Sequence, residues 1–321
     1  MDKLHIASLN VKGLRTSKSK RQKIFKWLKT CLKTDIVFLQ ETHSSEPDER
    51  IWSEEWGGDI YYAHGDTNAR GVCILLKSTL DFQIHQITRS PLGRYIIIDL
   101  TVNDRRLTLV NVYGPNTDDP DFILEVVHCL DTYGNDDRII GGDFNCILNA
   151  KMDKKGGAEI HANRKMSEIL NALIEQDDLV DIWRKQHEQE KQFTYHCKQG
   201  AQDIFTRLDY FLTSFGISNL VQFSGIQPSI LTDHSLITIT IQLDDETRGN
   251  GYWKLNCSLL KDLEYITMVK ETIHNLVNNG TNLTDAALWE FIKITIRGRV
   301  YSLVHGKSVV KTIYCKYCKD G

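Results

Sequence analysis

The sequence predicts an α/β protein in which two mixed β-sheets pack face to face with helices on their outer sides. Three observations carry this prediction. Short β-rich runs outnumber segments with helical periodicity. Helical segments fall between some consecutive strands but not all, which favours packed mixed sheets. Polar residues recur just where an apolar strand stops.

Taken in order, Leu4 to Val11 reads as a strand, and Lys12-Gly13-Leu14 turns out of it. Ser17 to Leu32 places Ile24, Trp27, Leu28, Cys31 and Leu32 at helical spacing, which predicts an amphipathic helix with Trp27, Ile24, Leu28 and Leu32 in the core. Asp35 to Glu41 is a buried strand ending on a carboxylate, and Pro47 to Trp56 is a short helix entered at proline. Tyr61–Ala63, Gly71–Lys77, Phe82–Ile87, Tyr95–Val102 and Leu107–Tyr113 follow as strands, and Gly114-Pro115-Asn116 is a turn. Asp121 to Leu130 is helical, Arg138 to Gly142 a strand, and Asn163 to Ile174 an amphipathic helix. Phe193–His196, Leu208–Leu212, Leu220–Ile226 and Leu236–Leu243 complete the strands. The charged, glycine-bearing stretch Asp244 to Gly251 marks a domain boundary, giving a main domain at 1–243 and a linker with an extension at 244–321. Within that extension Tyr252–Leu260 and Asn282–Val304 read as helical or irregular, with a thin core.

Composition narrows the class. At 41% hydrophobic and 25% charged the chain is ordinary globular material, with no run of about 18 apolar residues such as a membrane span needs. Its start enters a strand at once, which is not the pattern of a signal peptide. Eight single cysteines, several inside apolar runs, fit reduced thiols inside a cell, and Cys315 with Cys318 is a lone CxxC and a weak zinc signal. The net charge of -3 excludes a globally basic nucleic-acid binder. From Asn250 onward, however, 10 basic residues face 6 acidic ones. A local basic patch is all that phosphate contacts require.

The chain is organised around Ile139-Ile140-Gly141-Gly142-Asp143-Phe144-Asn145. An apolar strand is followed by two glycines, then by a carboxylate and a carboxamide two residues apart, which an extended backbone points the same way. Carboxylate with amide suits a hard cation and a phosphate oxygen, although the same residues also make an ordinary β-turn. Equivalent polar residues stand at other strand ends: Asn10, Glu41, Tyr113 with Asn116, Asp209, and Asp233 with His234. Gathered at one sheet edge, they would form an acidic pocket with one imidazole.

The blocks SLNVKGL, FLQETH, NVYGPN, GGDFN, FTY, RLDYFL and TDHSLI, in this order, resemble the exonuclease–endonuclease–phosphatase superfamily that includes DNase I. The resemblance implies a DNase I-like four-layer sandwich and a phosphodiesterase that uses Mg²⁺ or Mn²⁺. It implies Glu41 as metal ligand with Asn10 beside it and Asp233 as a second acidic ligand. It implies Asp143 as the group that orients or deprotonates water, Asn145 as phosphate ligand, Tyr113 at the phosphate or leaving oxygen, and Asp209 as the holder of His234. Asn116, Thr194, Thr206, Arg207, Thr232 and Lys12 join Asn145 as expected substrate contacts.

Two departures turn the reading from abasic-site repair. Lys12 stands where repair enzymes usually carry aspartate, and Ile204-Phe205-Thr206 where they tend to place tryptophan. Small hydroxyl residues at Thr206 and Thr232 are similar to those of non-LTR retrotransposon endonucleases. Tyr252-Trp253-Lys254-Leu255-Asn256 with Leu259-Leu260, then Ala287-Leu288-Trp289-Glu290 and Ile296-Arg297-Gly298-Arg299, resemble the segment leading towards the reverse transcriptase of LINE-type polyproteins. The expectation is therefore a DNA-nicking, LINE-like endonuclease in the nucleus. Its partners are duplex DNA and, through a reverse transcriptase region, element RNA. The competing classes are an exonuclease III-like or abasic-site repair enzyme, a non-enzymatic relic and an inositide phosphatase.

Overall fold

The computed structural model describes residues 3–66, 68–157, 163–176, 179–243 and 260–278, together with 288, 289, 292, 295 and 296. The chain divides into two compact units, Met1–Glu246 and Thr247–Gly321. In chain order the strands are β1 (Lys3–Asn10), β2 (Ile36–Gln40), β3 (Asp59–Ala63), β4 (Val72–Leu76), β5 (Phe82–Arg89), β6 (Tyr95–Val102), β7 (Arg105–Tyr113), β8 (Arg138–Asp143), β9 (Lys154–Lys155), β10 (Leu179–Asp181), β11 (Tyr195–Gln199), β12 (Gln202–Thr206), β13 (Asp209–Ser214), β14 (Val221–Gln227) and β15 (Leu236–Gln242). The helices are α1 (Lys18–Lys26), α2 (Glu49–Trp56), α3 (Pro120–Leu130), α4 (Ala150–Asp153), α5 (Arg164–Gln176), α6 (Ile182–Gln186), α7 (Phe215–Ser218) and, in the second unit, α8 (Leu263–Asn278).

Two six-stranded mixed sheets result, ordered β14-β15-β1-β2-β4-β3 and β10-β13-β8-β7-β6-β5, with a small third sheet β11-β12-β9. The expected pair of mixed sheets with helices outside is what forms. The parallel pairs β1/β2 and β7/β8 are each joined through a helix, α1 and α3. The remaining neighbours run antiparallel, which short connections allow.

Strand periodicity builds two cores. Ile36 and Phe38 of β2 point between the sheets with Leu4, Ile6, Ile98, Leu109 and Phe211. Val37 and Leu39 point outward to Ile24 and Phe25 of α1, Leu28 just after it, and Trp52 and Trp56 of α2. That two-sided burial is why β2 is apolar throughout. A polar brace crosses the inter-sheet seam. Gln40 Nε2 donates to Ser8 Oγ at 2.9 Å and to Asn111 Oδ1 at 2.7 Å. Asn111 of β7 in turn donates to the carbonyls of Leu39 and Cys73 in the other sheet. Nearby, Phe38 and Phe211 meet across the seam with centroids 5.9 Å apart.

The expected first helix is broken. α1 stops at Lys26, and Trp27–Cys31 form a π-helical turn whose wider ring leaves Trp27 and Leu32 half-buried while Ile24 and Leu28 are fully buried. α8 lies between the two segments of the extension expected to be helical. The blocks at 252–256, 297–299 and Cys315–Cys318 lie outside the described residues.

Candidate active site

The ends of β7, β8 and β13 stand in register, so Tyr113, Asp143 and Asp209 are direct neighbours across three strands. Gly142 is required here: its φ of 141° is outside the usual range of other residues, and a Cβ would lie 2.0 Å from the Val112 carbonyl oxygen. From the other sheet, Asn10 ends β1, Glu41 follows β2, and His234 precedes β15, held by a bridge to Tyr195.

These groups meet. Asn10 Nδ2 donates to Glu41 Oε1 at 3.0 Å and to Asp143 Oδ2 at 2.9 Å. His234 Nδ1 is 3.0 Å from Asp209 Oδ2, and its Nε2 lies 3.8 Å from Asp143 Oδ2. Asp143, Asp209 and His234 each offer a ligand atom within 4.8 Å of the others. All three are at least nine-tenths buried. The structure thus brings together Asn10, Glu41, Tyr113, Asp143, Asp209 and His234.

Burial and the Asp209 charge push the Asp143 carboxyl well above the usual carboxylate range, against the pull of His234 and Asn10. Burial opposes charge on His234 as well, but the carboxylates of Asp209 and Asp143 outweigh it and raise the imidazole above its ordinary value. The Tyr113 phenol is raised by burial and by the nearby Glu41 charge. Glu41 sits in the left-handed region at φ 49°. Its ion-pair contact among the described residues is His43, 3.8 Å away, and burial lowers that imidazole below its ordinary value. Glu41 has no lysine or arginine within ion-pair distance among the described residues, and a carboxylate in that condition fits a divalent cation. Asn10 does not present its oxygen there: Oδ1 accepts from the Lys12 backbone N–H, and its NH₂ serves the two carboxylates.

Other expectations are corrected by the geometry. Asp143 and Asn145 do not share an extended segment. β8 ends at Asp143, Asn145 is left-handed at φ 51°, and its backbone N–H closes a turn onto Asp143 Oδ1 at 2.9 Å. The Asn145 side chain donates to the Gly114 carbonyl. Arg207 is not a substrate contact, because its guanidinium is 1% exposed and saturated by Asp153 and Asp181. Thr194 is buried with its hydroxyl accepting from the backbones of Leu208 and Asp209, so it fixes the Asp209 loop. Thr232 likewise donates to the Asn10 carbonyl, and Thr206 is buried within β12. Asp233 is ion-paired to Lys12 Nζ at 2.6 Å, with the lysine side chain exposed to solvent. Asn116 is exposed in its turn.

Sequence reading passed over three neighbours. The Arg94 guanidinium lies 5.7 Å over the Tyr113 ring. The Tyr195 ring lies 4.8 Å from His234, and its signal was the same FTY block that singled out Thr194. Asn111 belongs to the NVYGPN block, but no local pattern marks it as the link between two sheets.

The sequence pattern of the Endonuclease/Exonuclease/phosphatase family matches residues 7–234. The "Transposon TX1 uncharacterized 149 kDa protein" of Xenopus laevis is 29% identical over 241 residues, covering 74% of this chain and 18% of that protein. The chain therefore spans less than a fifth of that relative. Among solved structures, the AP endonuclease LMAP from Leishmania major superposes with a TM-score of 0.64 at 18% identity, covering 76% of this chain and 89% of that one. The endonuclease domain of TRAS1, a telomere-specific non-LTR retrotransposon, superposes with a TM-score of 0.56 at 15% identity, covering 75% and 99%. At these identities the superpositions show a shared fold.

Proposed function

We propose that this chain, which belongs to the Endonuclease/Exonuclease/phosphatase family, is a phosphoester hydrolase that cleaves one strand of duplex DNA. The observation that carries this reading is the buried Asp143–His234–Asp209 cluster beside an uncompensated Glu41. Glu41 would hold Mg²⁺ or Mn²⁺, with Asn10 orienting its carboxylate. A bound divalent cation supplies charge neutralisation at the phosphoryl oxygens. Asp143 accepts a proton from the attacking water. Asp209 fixes His234 through Nδ1, leaving Nε2 to donate to a phosphoryl oxygen. Tyr113 lies beside Glu41 and stabilises charge on the same phosphate, and the second N–H of the Asn145 amide is available to it.

Similarity to the transposon TX1 protein supports reading the chain as the endonuclease portion of a LINE-type element, whose nick primes reverse transcription. On that reading residues 1–243 are the catalytic domain, 244–321 a linker and post-endonuclease extension, and element RNA a partner of the rest of such a protein. Its target is chromosomal DNA, which places it in the nucleus. Among the described residues no helix is long and apolar enough to cross a membrane.

The test is incubation with supercoiled plasmid and Mg²⁺, beside an abasic duplex of matched sequence. Nicked circles should accumulate, with Asp143→Asn and Asp209→Asn slower by roughly 10²–10⁴-fold. Strong preference for the abasic duplex would reassign the protein to repair. Nicking unchanged in Asp143→Asn would sink the assignment of this site.

A further inference from the structure

From Ser17 to Lys33 the chain carries seven basic residues and no carboxylate, within a protein of net charge -3. Three of them are used internally. Lys20 Nζ donates to the carbonyls of Val11 and Lys12, Arg21 pairs with Glu55, and Lys29 bonds the carbonyls closing α2. Lys18, Lys23, Lys26 and Lys33 are exposed and have no ion-pair partner among the described residues. Lys18, Ser19, Gln22, Lys23 and Lys26 line one shallow surface groove. The Glu55 carboxylate, whose charge Lys18 also feels, is hydrogen-bonded by Arg21 and Gln22.

This arrangement works against the helix that bears it. α1 has no acidic residue in its first turn and places Lys18 and Lys20 there, the wrong sign for the positive end of the helix dipole. Lys23 and Lys26, three residues apart, repel each other. Packing explains Ile24, Phe25 and Leu28 on the opposite side, whereas the outer lysine side chains make no hydrogen bond or ion pair among the described residues, and Lys18 only adds its charge near Glu55. A polyanion laid along the groove reverses the sign of every one of these terms. The direction of the strip indicates which polyanion. Its first turn is tied through Lys20 to the loop just after Asn10, so it starts beside the active site. It then runs outward for about 13 Å, the rise of nine helical residues.

We propose that the outer face of α1 is a second nucleic-acid contact, which tracks the phosphates of the duplex to one side of the scissile bond. The inference rests on the DNA-cleaving reading given above. It adds a flank requirement to that reading, with Lys18, Lys23 and Lys26 binding backbone without reading sequence.

The experiment uses the full chain with labelled duplexes of about 40 base pairs, and shorter ones ending about three base pairs from the nick. For the K18Q/K23Q/K26Q variant, KM for the long duplex should rise about tenfold with kcat unchanged. The slope of log KM against log salt should flatten by roughly 2–3, since each phosphate contact contributes about 0.9. On the short duplex the variant and wild type should coincide. K18R/K23R/K26R should behave as wild type, which separates charge from side-chain packing. Equilibrium binding of the long duplex in EDTA reads the strip independently of catalysis. Weaker binding by the glutamine variant supports the strip even if no DNA is cut, in which case only the hydrolase reading fails. Equal binding and an unchanged salt slope would overturn the proposal, and would mean that the lysines serve a different polyanion.

Discussion

Arg207 illustrates how a single residue can be misread from its neighbours. It directly precedes Leu208-Asp209 in a block that carries site chemistry, and a cation there suggests phosphate. The fold instead spends it on two carboxylates, Asp153 and Asp181, under the rings of Trp183 and Tyr210. Removing Arg207 takes the buried counter-charge from Asp181 and leaves Asp153 with Arg184 alone. Arg207→Met should therefore cost about 3–5 kcal/mol in urea unfolding and leave KM of the surviving folded enzyme unchanged. A raised KM at wild-type stability would restore the substrate role. Glu41 and Asn145 were legible as site candidates because they end apolar strands. Their left-handed backbones were not, since neither is glycine and only tertiary contacts hold them there.

At the scale of the element, α1 and α2 form one layer because each buries an aromatic stripe against the same sheet. Phe25 meets Trp52 and Trp56 edge-on at centroid distances of 6.3 and 5.8 Å. Leu28, fully buried beneath them, should cost about 2–5 kcal/mol when changed to alanine, with nicking per folded molecule unaltered. The layer is also clamped by Arg21 and Glu55, whose carboxyl is held below the usual glutamate range chiefly by the Arg21 hydrogen bond, against burial. A carboxylate lowered in the folded state stabilises above its unfolded value, near pH 4.3, and that contribution disappears as pH falls through the lower folded value. The stability gap between wild type and Glu55→Gln, followed by thermal melting from pH 6 to 3, should thus close on the acid side. A gap constant over that range would mean that the pair contributes no pH-dependent stability. Elements with a clear apolar period, such as β2, β6 and α5, could be read from sequence. β12 and the short β9 and β10 could not, because β9 and β10 are only two and three residues long, β12 shows no clear alternation, and all three gain their pairing from neighbouring strands.

For the whole molecule, the pairing of two mixed sheets was legible because both faces of the central strands are apolar, and the site was legible as a set of strand ends. Which ends lie together depends on strand order, and no local pattern encodes that order. The proposed boundary near Leu243 is tested by truncation. A chain ending there should fold and nick plasmid at a rate within about threefold of the full length, since every group of the candidate site precedes it. Loss of either property would assign the extension to the catalytic domain.

The active centre has two jaws mounted on different sheets: Asn10, Glu41 and His234 on one, and Tyr113, Asp143 and Asp209 on the other. The calibre of the opening is therefore a property of the core. Gly141 acts as the gauge, since a Cβ there would come within 2.5 Å of the Phe211 ring and 3.0 Å of Phe38 on the opposite sheet. An added methyl would act as a shim, prising the jaws apart at a distance from the chemistry. Gly141→Ala should cost about 1–3 kcal/mol of stability through overpacking. A misplacement approaching 1 Å at the reacting groups costs up to about 10²-fold in rate, so turnover should suffer disproportionately. Unfolding and nicking measured on the same sample, at a temperature where both proteins are fully folded, would show the mismatch. Equal turnover would mean that the jaws hold their spacing independently of the core between them.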